Sequence, residues 1–248
     1  MLSCVHQPIQ KTGSPEQMLP RIHFLREKHP NVNFSHVLLD TQKMHKYLWR
    51  KSRWSVFKVG IWANMPCATC NPSNFAVALA YCIKNGITKL CGGHNVMMSV
   101  YPYQHPMSIE KTGEFCQEYG VKMDVPVFWY QNEDVMFLYQ FKEFKNNQDF
   151  QSKILWKKTT AQEANEIGLG SHNNLKMDFV EKNKTQVVCT QDVFVNYILF
   201  FCYYPLYGFK GIEQRMIKLL DTQLKLLKKI IDEYINKGKH TDLFEIIR

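Results

Sequence analysis

A run of β-branched and aromatic residues, Ser55 to Ala63 (SVFKVGIWA), leads to Pro66 and then into Cys67-Ala68-Thr69-Cys70. Such a run reads as a buried strand. The residues after it read as a helix: Phe75, Leu79 and Cys82 share one face, and Asn85-Gly86 is a C-terminal stop signal. Pro72 falls inside that pattern and is expected to kink the helix or mark a second start. A strand that hands a Cys pair to the start of a helix commits the chain to alternating strands and helices, and so to an α/β arrangement.

The flanking segments extend the alternation. Residues 36–40 (HVLLD) read as a short strand, and Thr41 to Ser52 as a helix with Met44, Tyr47 and Leu48 at helical spacing. A strand is expected at 87–91 or at 96–101. Pro106 then opens a helix, with Ser108 as its candidate cap, that ends near Gly120. Strands follow at 125–130 and 135–141, joined by a hairpin turn over Gln131 to Asp134, and a helix at 148–157 closes the unit. The order β-α-β-α-β-α-β-β-α implies a mixed sheet with helices on both faces.

Three of these segments, in this order, resemble the thioredoxin family. The strand ending in Ile61-Trp62-Ala63 and running into Cys67 and Cys70 is similar to the family's strand, loop and redox pair. The proline-containing helix after it is similar too. Tyr119 to Val135 (YGVKMDVPVFWYQNEDV) looks like the family's helix end, cis-proline loop and two-strand hairpin. The resemblance covers about half the chain, residues 32–158. It implies a thioredoxin-like mixed sheet flanked by helices, with Pro126 as the cis-proline and Val125 presenting its backbone to the disulfide. This sequence departs from the family in four places, one of them a stretch from Cys70 to Pro126 longer than the family usually needs. Pro66 stands where an aromatic usually precedes the first Cys, one extra residue separates Trp62-Ala63 from the pair, and no acid is available near Gly60 for the family's buried carboxylate.

The chemistry offered by Cys67 and Cys70 follows from their position. A thiol at a helix N-terminus meets unpaired N–H groups and the positive end of the dipole, which favour the thiolate. Cys70, one turn on, could resolve a mixed disulfide. The alternatives are a structural disulfide or a relic pair in a domain used for its shape. A further reading takes Cys67, Cys70, Cys91 and His94 as a Cys3His zinc site, since both pairs have knuckle spacing. Against it, the intervening helix would hold the two pairs about 20 Å apart. The sequence thus calls for no metal and no cofactor. Cys82, Cys116, Cys189 and Cys202 read as small buried apolar residues.

Charge narrows the partners. The net charge is +9, yet no Asp or Glu occurs between Asp40 and Glu110, where eight Lys and Arg fall. A surface of that sign attracts an acidic partner protein or an anionic lipid surface, and no nucleic-acid module is present to claim it. The apolar fraction of 45% excludes a disordered chain. Residues 1–30 contain no signal-peptide core, so an intracellular, non-secreted protein is expected.

The chain divides into an N-terminal arm (1–31), the thioredoxin-like domain (32–158), a polar linker or arm (159–192) and a helical C-terminal extension (193–248). In that extension Val193 to Phe209 carries no charge and eight aromatics. It is short for a membrane span, and burial within protein is the favoured reading. A helix from Ile212 to about Asn236 follows, with Met216, Leu220, Leu224, Leu227, Ile231 and Tyr234 on one face. Residues 193–237 are therefore expected to attach the domain to other protein subunits. The resulting expectation is a thioredoxin-fold accessory subunit of a larger, membrane-bound assembly, placed at the mitochondrial inner membrane. The alternative is a thiol-disulfide oxidoreductase using Cys67 and Cys70.

Overall fold

The computed structural model describes residues 2–5, 19–60, 66–94, 96, 99, 102–131, 148–153, 155–159 and 197–246. In chain order the elements are β1 (Leu2–Val5), α1 (Leu19–Lys28), β2 (Val37–Asp40), α2 (Gln42–Ser52), α3 (Val56–Val59), α4 (Pro66–Lys84) and β3 (Lys89–Cys91). Then come α5 (Pro106–Gln117), β4 (Lys122–Asp124), β5 (Tyr130–Gln131), α6 (Gln148–Lys153), β6 (Leu155–Thr159) and α7 (Tyr204–Lys237). The chain is a mixed helix-and-strand protein in which helix predominates.

The described strands form three parallel pairs: β1 with β2, β3 with β4, and β5 with β6. Parallel neighbours cannot be joined by a tight turn, and each pair here has a helix between its strands: α1, α5 and α6. At the far end of the chain Ile246 bridges antiparallel to Leu39, and the Asp40 N–H donates to the Glu245 carbonyl at 3.0 Å.

The core gathers around α4. Ala76, Val77, Ala78, Leu79 and Ala80 are all buried, so this helix is covered on every side over that stretch. Met44 and Leu48 of α2, Phe115 and Cys116 of α5, and Leu227, Ile230 and Ile231 of α7 pack into the same cluster. Each follows the three-four spacing visible in the sequence.

Pro72 does not end α4, which runs from Pro66 to Lys84 with the proline inside it. A proline has no N–H to give the carbonyl four residues back, here that of Ala68. The Gln223 side chain of α7 donates to that carbonyl at 3.0 Å and is itself buried. The partner that the backbone lacks is supplied across the helix interface.

Several expectations change. The strand expected at 55–63 is helical over its described part: a 3-10 turn at Arg53–Ser55 runs into α3, which stops at Gly60, and 61–63 lie outside the described residues. The aromatics of a buried strand would point inward, but Phe57, like Trp54 before it, faces outward while Val59 is buried. The strand expected at 125–130 is replaced by a turn over 126–129, with β4 before it and β5 after it. Pro126 has no N–H for a ladder, and the Phe128 N–H closes the turn onto the Val125 carbonyl at 3.0 Å. The helix expected at 148–157 stops at Lys153 and gives way to β6. The cap of α5 is His105, not Ser108: its ring accepts from the Met107 N–H. The strand expected at 135–141 lies outside the described residues.

The C-terminal helix starts earlier than the spacing predicted. Residues Leu199–Tyr203 make a π-helical turn that leads into α7. Gly208 sits at φ 63°, a conformation a side chain would strain, and it bends α7 between its first turn and its long straight part.

Candidate functional site

Two residues singled out in the sequence, Cys91 and His94, lie at and just beyond the end of β3, and two more, Cys67 and Cys70, in the first two turns of α4. Cys70 lies in the second turn of α4, half-buried, and its Sγ accepts from Asn74 Nδ2 at 3.8 Å. Cys67 is in the first turn of the same helix, and its side chain lies outside the described residues. Cys91 is the last residue of β3 and is exposed. Beyond it the Gly92 N–H donates to the Asp124 carbonyl at 2.8 Å, which carries the β3–β4 pairing one residue further.

His94 then folds back over the helix. Its ring stacks on Phe75 with centroids 5.5 Å apart and planes at 21°. The ring lies so close over Gly92 that a Cβ there would stand 2.6 Å from His94 Nδ1, so only glycine leaves it room. Val125 closes the other side, its Cγ1 3.4 Å from the same point, and Pro126 follows in the turn. The chain after β3 thus returns to α4 at Phe75, a little more than one turn past Cys70. Among the described residues no three His, Cys, Asp or Glu side chains are grouped so as to hold a metal ion.

Between α4, β3 and the segment from α1 to β2 lies an open cavity of about 750 Å³. Ile22, Leu25, Phe34 and Val37 form one wall, and Phe75, Ala78 and Leu90 the other. Asn71, Asn74, Lys89, Cys91 and His94 supply its polar groups. Ligands of α/β proteins characteristically sit beyond the carboxyl ends of parallel strands, and this cavity reaches that end of β3. Burial lowers the His94 pKa, so its ring is neutral near pH 7. Lys89 Nζ stands 3.2 Å from Asp124 Oδ2, and that lysine holds the carboxyl below its usual range.

The remaining described cysteines behave as the sequence suggested only in part. Burial raises the Cys82 thiol and pushes Cys116 up to about 12, so both are unreactive core residues. Cys202, by contrast, is exposed on the π-helical turn.

A second surface was not foreseen as a unit. Trp54 stacks on Phe57 at 6.0 Å, and these side chains are 64% and 80% exposed. Arg215 of α7 ties this corner to the C-terminal helix, donating to the Val59 carbonyl at 3.4 Å while its guanidinium lies 4.0 Å over the Tyr207 ring. Around the start of α7, Tyr197, Phe201, Leu206 and Tyr207 are exposed in turn. Arg50, Lys51, Arg53, Lys58 and Lys210 stand in the same segments, and no acid lies in 41–60 or 197–212. The charge-free aromatic run was the available signal; that α3 would present two more aromatics beside it was hidden by the strand reading. Among the described residues, no helix is long and apolar enough to cross a membrane. Comparison of the chain with protein-family models, with curated proteins and with solved structures gives no match.

Proposed function

We propose that the chain is an accessory subunit, a thioredoxin-like α/β scaffold that docks onto a larger protein assembly at the mitochondrial inner membrane. The observation that carries this reading is the exposed aromatic face of α3 and the start of α7. Phe57 at 80% and Leu206 at 74% exposure are too costly to leave in water on a chain that works alone. Aromatics with arginine among them are the usual anchors of protein interfaces. The basic rim selects a partner subunit with an acidic surface.

A specific observation keeps a second reading in place, thiol-disulfide exchange by Cys67 and Cys70. Asn74 directs an N–H at the Cys70 sulfur, and Val125, the residue before Pro126, packs at Gly92 next to Cys91. One experiment separates the two. The full chain, tagged and expressed in its own cells, is run on native gels from mitochondrial membranes. Wild type should migrate in a species far larger than its own 29.3 kDa, and Phe57→Ser with Leu206→Ser should release it. A wild-type chain that migrates alone, and that reduces insulin unless Cys67→Ser is introduced, would overturn the accessory role and put the oxidoreductase first.

A further inference from the structure

We infer that the outer face of α2 and of the 3-10 turn after it, from Lys46 to Trp54, rests on a bilayer surface rich in anionic phospholipid. The accessory role concerns a neighbouring face, Phe57 and the start of α7, and the two meet where Trp54 stacks on Phe57. Lys58 of α3 and Lys210 of α7 remain for a partner subunit.

Three observations carry it. First, the helix period builds the face. Met44, His45, Leu48 and Ser52 are the buried residues of α2. Opposite them Lys46, Trp49, Arg50 and Arg53 recur at three-four spacing, and all are exposed. Trp54 follows on the 3-10 turn at 64% exposure.

Second, the charge on this stripe is unanswered. Lys43, in the first turn of α2, is paired, its Nζ 2.5 Å from Glu245 Oε1. Among the described residues no carboxylate pairs with Lys46, Arg50 or Arg53. Cations grouped on a helix face are drawn to anionic headgroups, each strengthening binding by about fivefold.

Third, cations and rings are mixed rather than zoned. The Arg53 guanidinium lies 5.3 Å over the Trp54 ring, and the Lys51 ammonium 5.8 Å over Tyr47. A protein interface gathers its aromatics in a dry centre depleted of lysine, with charge at the rim. A stripe that alternates Lys46, Trp49, Arg50 and Arg53 offers no such centre. The headgroup layer takes both kinds at one depth, indoles among the headgroups and cations against the phosphates.

The test is co-sedimentation of the purified full chain with vesicles of phosphatidylcholine alone, and of phosphatidylcholine with phosphatidylserine at about three to one. The mixed vesicles should hold the chain at least about tenfold more tightly than the neutral ones, and added salt should release it. Arg50→Gln with Arg53→Gln should weaken binding to mixed vesicles by about 25-fold, the factor per cation taken twice. Trp49→Ser with Trp54→Ser should weaken it by about tenfold. These side chains are exposed, so the thermal melts should stay at wild type. Leu206→Ser should leave vesicle binding unchanged. Vesicles hold no partner subunit, so a failure here leaves the accessory role standing, and a chain that migrates alone on native gels can still bind them. Equal binding to neutral vesicles overturns the inference. So does charge-dependent binding that both double variants leave unaltered, since the lipid would then be held elsewhere. Failure to bind the mixed vesicles overturns it too; retention on immobilised polyglutamate, lost with Arg50→Gln and Arg53→Gln, would then assign the stripe to an acidic protein.

Discussion

His105 shows how one side chain can hold two elements and set a pH limit. Its Nδ1 accepts the Met107 N–H at 3.3 Å and caps α5, while Nε2 faces Glu213 of α7 at 3.6 Å. Burial lowers its pKa from 6.5 to about 4, so the folded state keeps it neutral. The unfolded chain takes up a proton below pH 6.5 and the folded one only near 4. Stability is therefore full above pH 6.5 and is lost as pH falls through that window, by about 3 kcal/mol for this group. Glu213, whose carboxyl burial raises, has the opposite sign and offsets part of the loss just above its ordinary value. Asparagine can cap a helix without titrating. His105→Asn should therefore flatten the dependence of urea-unfolding free energy on pH between 6.5 and 4. A slope as steep as wild type would show that the loss comes from other groups. Little of this was legible beforehand. Histidine is not a usual cap, and Ser108 is a better capper by type. His94 was legible as a candidate ligand from its spacing to Cys91, but its stacking on Phe75 depends on a long-range return of the chain that no local pattern encodes.

Among the elements, α4 and α7 illustrate why some patterns survive folding and others do not. Helices with buried stripes, α2, α5 and α7, were readable because three-four spacing reports burial directly. The described part of the 55–63 segment departs from the strand pattern because its residue types suit a strand while Phe57 stands in water. The proline in α4 was readable as a disturbance, yet its resolution lies 151 residues away, in Gln223. An internal proline costs a helix about 3 kcal/mol, part of it the orphaned carbonyl. Gln223→Leu removes the side-chain donor to the Ala68 carbonyl and should destabilise by about 1–3 kcal/mol. Pro72→Ala restores a backbone N–H that can reach the same carbonyl. In that background Gln223→Leu should cost at least about 1 kcal/mol less, a coupling that a double-mutant cycle measures by chemical denaturation. Equal costs in both backgrounds would mean that the glutamine serves packing alone.

The whole molecule joins its two ends through α7. Met216, Leu219, Leu227, Ile230 and Ile231 are buried, the last three in the cluster that holds Leu48, Leu79 and Phe115. After α7 the chain still contributes: Leu243 and Phe244 enter the core, Tyr234 stacks on Phe244 at 4.3 Å, and Ile246 bridges to Leu39 of β2. Lys111 and Lys228 pair across to Asp221 and Glu118, fixing α5 against α7, although exposed pairs of this kind add little. The sequence made the helix and its stripe visible, but not where the stripe would be buried, because an amphipathic face reads the same whether its cover is this chain or another. The structure divides α7 into a straight part in the core and a bent, aromatic start that faces outward, with Gly208 between them. A chain ending at Phe209 should therefore lose cooperative thermal unfolding. Within the full chain, Leu227→Ala should cost about 2–5 kcal/mol, the range for a large-to-small change in a packed core. Leu206→Ser, on the exposed start, should stay within about 0.5 kcal/mol of wild type. If the truncated chain melts cooperatively, and Leu227→Ala costs no more than Leu206→Ser, then α7 as a whole is an attachment and the domain's core ends before it.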